Sequence, residues 1–208
     1  MHPVCASKAS TESNVNWKSS KHWSKLFRAI LEHLKHVLHE FTQNDSLQTV
    51  LIAIDGVVPM AKIVQQRQRR FRSSYERQGI QTNWDSCLIS PGTYFMKQFE
   101  QFFQTHMKEL NQIPQFTHTK FILSSSKEFG EGEHKLMHAI RKLPKDTSIA
   151  MYGLDADLIL LGITALSYHS RVHLFRENVH CALKEFASED YVLMNIHILW
   201  DTLLQEII

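Results

Sequence analysis

The run Thr49-Val50-Leu51-Ile52-Ala53-Ile54 constrains the fold more than any other part of the chain. It carries no charge and is too apolar to leave one face in water, so it reads as a buried strand. Lys120 to Ser124, Ile149 to Gly153 and Val172 to Phe175 read the same way. Between them lie stretches with helical periodicity. Trp23, Leu26, Phe27, Ile30, Leu34, Val37, Leu38 and Phe41 form a stripe that Gln43-Asn44-Asp45-Ser46 ends. Met60 to Tyr75 follows Pro59 as a long helix. Ser90-Pro91 has the pattern of an N-cap and first-turn proline, opening a helix to Leu110 that buries Phe95, Phe99, Phe102 and Phe103. Glu131 to Leu143 and Met194 to Ile208 complete the set. Buried strands alternating with helices predict an α/β fold with a parallel or mostly parallel central sheet flanked by helices.

The 208 residues suffice for one domain with its own core. Residues 1–20 are Ser/Lys/Asn-rich and read as a loosely structured segment, with the domain over 21–208. Ile207-Ile208 fall inside a helical pattern, which suggests a longer domain. Seven Gly and five Pro exclude collagen-like and linker-like chains. The formal charge of +2 gives no general polyanion surface, so any nucleic-acid site must come from local clustering. Cys5, Cys87 and Cys181 form no C-x-x-C pair, which disfavours a disulfide framework and a structural zinc site. No secretory h-region is visible, and Leu158 to Leu166 is about half the length that spans a bilayer, so a soluble intracellular protein is expected.

Acidic residues follow the strands. Asp55 comes after the first, Glu131 and Glu133 lie in a glycine-flanked turn after Lys120–Ser124, and Asp155 and Asp157 come after Ile149–Gly153. Open parallel sheets gather ligands beyond their strands' carboxyl ends. Carboxylates gathered there repel one another unless cations bind, and hard ions such as Mg²⁺ or Mn²⁺ prefer oxygen ligands and suit phosphodiester hydrolysis. An isolated D-x-D or E-x-E is ordinarily turn chemistry; three acidic spots after three strands are harder to dismiss. Lys62, Gln66 and Arg69 fall at i, i+4 and i+7 with Arg70 adjoining, a cationic face able to grip phosphate rather than a merely solvated one. Arg67 and Arg72 read as plain surface. His22, His33, His36 and His39 have no ligand partners at metal spacing, and Ser124-Ser125-Ser126 lacks a nucleophile-elbow context.

Taken together, these stretches resemble the Xrn-type 5′→3′ exoribonucleases. The resemblance is carried by Ala53-Ile54-Asp55-Gly56-Val57-Val58-Pro59-Met60-Ala61-Lys62, Gln65 to Arg72, Ile89-Ser90-Pro91-Gly92-Thr93-Tyr94-Phe95-Met96, Gly130 to Lys135, and Tyr152 to Ile159. It implies a PIN/flap-nuclease-like α/β domain that removes mononucleotides from single-stranded RNA bearing a 5′-monophosphate, with Mg²⁺ or Mn²⁺ as cofactor. By motif position it makes Asp55, Glu131, Glu133, Asp155 and Asp157 the metal-binding catalytic carboxylates. Lys62, Gln66, Arg69 and Arg70 become the 5′-phosphate pocket. Tyr152-Gly153, and the lack of a Cys-rich insertion after Arg176-Glu177, look closer to the family's cytoplasmic branch than to its nuclear one.

The chain departs from the family pattern in several places. An Asp-Met-Asn motif expected ahead of the first helix is missing, and Met1 to Cys5 align just after it, with His2 matching a base-stacking His. A Gly-Asn-Asp segment is expected beyond Ile208. Met60 stands where the pattern has Arg, and Phe129 where it has Pro. The alternative reading is therefore a catalytically impaired fragment that binds RNA 5′ ends without hydrolysing them.

Overall fold

The computed structural model describes residues 22–42, 47–76, 85–178 and 189–207. It has two compact units, Met1–Gly132 and Glu133–Ile208. In the first unit, α1 (Trp23–Phe41), β1 (Thr49–Ala53), α2 (Met60–Glu76), α3 (Tyr94–Leu110) and β2 (Lys120–Ser124) follow in chain order. The second contains α4 (Gly132–Ile140, from Glu133 onward), β3 (Ile149–Tyr152), α5 (Asp157–Ala165), β4 (Val172–Glu177), β5 (Tyr191–Asn195) and α6 (Ile196–Ile207).

β1 and β2 pair in parallel from Thr49 opposite Lys120 to Ala53 opposite Ser124. The stripe of α1 packs on α3, where Trp23, Leu26, Phe27, Phe95 and Met96 form one apolar cluster and Leu31, Phe103 and Leu110 another. Phe27 meets Phe95 edge-on at 5.2 Å, so the phenylalanine stripe of α3 is core, as its spacing predicts. In the second unit β3 pairs in parallel with β4, and β4 with β5 antiparallel. Met137, Ile149, Met151, Leu158, Val172, Leu174 and Ile196 are buried together there. The α/β class holds and the pairing is mostly parallel. The strands belong to two hydrogen-bonded sheets, one in each unit.

Three helix boundaries shift by two or more residues from the sequence expectation, each for a local reason. α3 starts at Tyr94 rather than after Ser90-Pro91, because Gly92 takes φ 85 and breaks the helical path. Thr93 is the N-cap instead, its Oγ1 accepting the Met96 N–H at 3.3 Å. Met194 lies in β5 opposite Leu174, and α6 begins only after Asn195, whose Oδ1 accepts the N–H groups of His197 and Ile198. α4 ends at Ile140; the stretch to Leu143 continues as tight turns, with Leu143 N–H donating to the Ile140 carbonyl at 3.1 Å. Cys87 is exposed and free. Residues 1–21, 43–46 and 179–188, with Cys5, Cys181 and His2 among them, lie outside the described residues, as does Arg77. Among the described residues no helix is long and apolar enough to cross a membrane.

Candidate active site

Because β1 and β2 run parallel and in register, the chain leaves both strands at the same edge. Two turns meet there. Gly56 N–H donates to the Gly130 carbonyl at 2.9 Å, and Gly130 N–H returns a bond to the Val57 carbonyl at 2.9 Å. Gly130 takes φ 97, a conformation that lets the loop after β2 turn back onto the loop after β1. Asp55 is exposed, and its Oδ1 accepts the Gly132 N–H at 2.6 Å. Its second oxygen has no partner among the described residues.

The fit is close enough to exclude a side chain at position 56. A Cβ built there lies 1.6 Å from the Glu128 carbonyl oxygen. The loop is held from beneath as well. Glu100, on α3 and only 4% exposed, accepts the Ser126 N–H through Oε1 at 2.5 Å. Neither Gly56 nor Glu100 is singled out by sequence reasoning: glycine after a strand reads as a turn, and an acid in a helix reads as surface.

Pro59 ends the turn after Asp55, and α2 begins at Met60. Lys62 therefore sits in its first turn, with Nζ 3.0 Å from Glu131 Oε2. Lys62 is half-exposed, so the pair contributes little to stability; what it fixes is placement. Gln66 lies half-buried one turn on, and Arg69 is exposed with no hydrogen-bond or ion-pair partner among the described residues. Arg70 differs from these, donating through Nη2 to the Ile89 carbonyl at 3.3 Å. One such bond leaves the rest of the guanidinium fork available. Arg72 is surface, as predicted, paired with Glu76 at 2.9 Å.

Glu131, Glu133 and His134, near neighbours in the chain, each offer a ligand atom within 4.8 Å of the others. Two carboxylates and an imidazole suit a divalent cation. His134 is the candidate ligand the sequence reading missed, standing beside Glu133 with its Nδ1 4.0 Å from Oε1.

In the second unit the chain leaves β3 at Tyr152, and Asp155 and Asp157 follow, both exposed. Asp155 Oδ1 accepts the Asp157 N–H at 3.2 Å, an Asx-type turn that opens α5. Arg176 on β4 donates to the Leu154 carbonyl at 2.9 Å and holds that turn to the sheet. Thus in the first unit Asp55 bonds Gly132, the residue after Glu131, and Glu131 pairs with Lys62, while Asp155 and Asp157 share a turn in the second.

Acidic turns at the ends of parallel strands, one of them beside a cationic helix, define an α/β domain suited to cations and phosphate groups. The chain belongs to the family described as XRN 5'-3' exonuclease N-terminus, whose model matches residues 1–178 and so contains every residue named above as acidic or cationic site material. It is 40% identical over 163 residues to 5'-3' exoribonuclease 2 of Schizosaccharomyces pombe, covering 64% of this chain and 16% of that one. It is 32% identical over 201 residues to 5'-3' exoribonuclease 1 of the same organism, covering 84% of this chain and 15% of the relative. To 5'-3' exoribonuclease 2 of Candida albicans it is 36% identical over 174 residues, 69% of this chain and 17% of the relative. The matched region is thus a small part, about a sixth, of these curated relatives.

Proposed function

We propose that this chain is part of the catalytic domain of a 5′→3′ exoribonuclease that acts on single-stranded RNA with a 5′-monophosphate. In this reading Asp55, Glu131, Glu133, Asp155 and Asp157 are ligands for Mg²⁺ or Mn²⁺. Lys62, Gln66, Arg69 and Arg70 hold the terminal phosphate. The observation that carries the reading is the 3.0 Å contact between Lys62 Nζ and Glu131 Oε2, which sets the start of the cationic helix against the acidic strand edge.

The oxygen-rich donor set fits hard divalent ions. When bound, such ions lower the pKa of water and offset the charge that builds on phosphorus. The chain's own residues do the rest. Lys62 acts as a point charge and Arg69 as a bidentate fork on the phosphate, while Gln66 donates through its amide. That anchoring fixes which phosphodiester lies at the carboxylates, so cutting proceeds from the 5′ end one nucleotide at a time. Asp55, held by Gly132 N–H, and Glu131, held by Lys62, start from fixed positions and lose little freedom when a substrate arrives. The names of the two relative types do not decide compartment, and we favour the cytoplasm on the Tyr152-Gly153 pattern.

Arg69→Ala tests the phosphate assignment. Its affinity for 5′-phosphorylated RNA is expected to fall by about 10- to 100-fold, the worth of a charged hydrogen-bonded contact. Affinity for the same RNA with a 5′-hydroxyl should stay unchanged. Equal losses on both ends, measured by fluorescence anisotropy, would contradict the assignment.

A further inference from the structure

A surface helix ordinarily turns its apolar stripe inward. α2 does not: none of its residues is buried. Phe71 is 76% exposed and Tyr75 65%, with Met60 and Val64 exposed in line with them. The spacing puts these four on one face, while Lys62, Gln66 and Arg69 occupy another. Arg67 lies one turn before Phe71 and has no ion-pair partner among the described residues; Arg72 follows Phe71 directly. α2 carries one acid, Glu76 at its last position and paired with Arg72, against cations at Lys62, Arg67, Arg69, Arg70 and Arg72.

Charge decides what such a face suits. Exposed rings on a helix that carries five cations and a single acid fit a polyanion whose repeating units carry flat π-surfaces. We propose that the Phe71–Tyr75 face of α2, flanked by Arg67 and Arg72, is a stacking surface for bases of single-stranded RNA downstream of the 5′ end. The proposal rests on the RNA-end reading above and extends it from the terminal phosphate to the body of the strand. Phe71 is nine residues along the helix from Lys62, about 13 Å at the helical rise. A strand must therefore be several nucleotides long to reach both.

The test is fluorescence anisotropy in EDTA, so that no strand is cut, with oligouridylates of about 16 nucleotides carrying either a 5′-phosphate or a 5′-hydroxyl. Because both rings face solvent, Phe71→Ala/Tyr75→Ala should keep the unaltered chain's far-ultraviolet circular dichroism. Its affinity is expected to drop about tenfold or more, equally for the two RNAs. Phe71→Trp/Tyr75→Trp should restore binding. Unchanged affinity in the alanine variant overturns the proposal, as does a change confined to self-association of the chain. If the alanine variant weakens binding while the unaltered chain shows no preference for a 5′-phosphate, the stacking surface stands and the end-pocket reading falls. If the unaltered chain binds neither RNA, both fall.

Discussion

Asp155→Ala is expected to lower the release of mononucleotides from 5′-monophosphorylated RNA in Mg²⁺ by at least about a hundredfold. Removing a group that merely supports a metal ligand costs about 10- to 100-fold, and Asp155 is proposed as a ligand itself. The alanine also removes the oxygen that accepts the Asp157 N–H at the start of α5, so a loss of helix start has to be separated from a loss of charge. Asp155→Asn makes that separation. Its amide oxygen can still accept the Asp157 N–H, but the carboxylate charge is gone. Both variants should lose activity, and only the alanine should lower the melting temperature. Full activity in Asp155→Asn would remove Asp155 from the chemistry. If the unaltered chain binds 5′-phosphorylated RNA tightly and releases nothing, the end-binding fragment is the correct description.

Gly56→Ala is expected to be the most disruptive glycine-to-alanine change among the described residues. The added Cβ would stand 1.6 Å from the Glu128 carbonyl oxygen and 3.1 Å from that of Ser126, both backbone atoms. Neither can rotate away. The loop after β2 must instead lift off the loop after β1, which breaks the Gly56–Gly130 and Gly130–Val57 bonds and frees Glu131 from its place near Lys62. A cost of about 3 kcal/mol or more is expected, at the upper end of overpacking effects. Gly92→Ala is the matched control: with φ 85 and nothing within 4 Å of its Cβ, it should cost only about 1 kcal/mol of backbone strain. Urea denaturation of the three proteins measures the difference. A Gly56→Ala midpoint equal to that of Gly92→Ala would show that the two loops are not clamped as described.

Much of this was legible in the sequence, because the signals were local. The first strand and its acidic turn, the stripe of α1, the phenylalanine face of α3 and the common face of Lys62, Gln66 and Arg69 each depend on spacing within about four turns of chain. What stayed hidden depends on partners distant in sequence. β5 alternates too weakly to announce a strand, and only its pairing with β4 makes it one. The burial of Glu100 follows from the Ser126 N–H it receives, 26 positions away. Gly56 reads as a turn residue until Glu128 is laid over it. Arg70 lies beside Arg69 in sequence, yet only the Ile89 carbonyl reveals that it also ties α2 to the segment ahead of α3.

The most direct test of the account is a Mn²⁺ titration by calorimetry on four proteins: the unaltered chain, Asp55→Asn, Asp155→Asn and the double variant. If Asp55 and Asp155 are both ligands, each single change should weaken binding at least about tenfold, and the double variant should bind no more tightly than either. A titration that ignores one of the two aspartates would contradict the account.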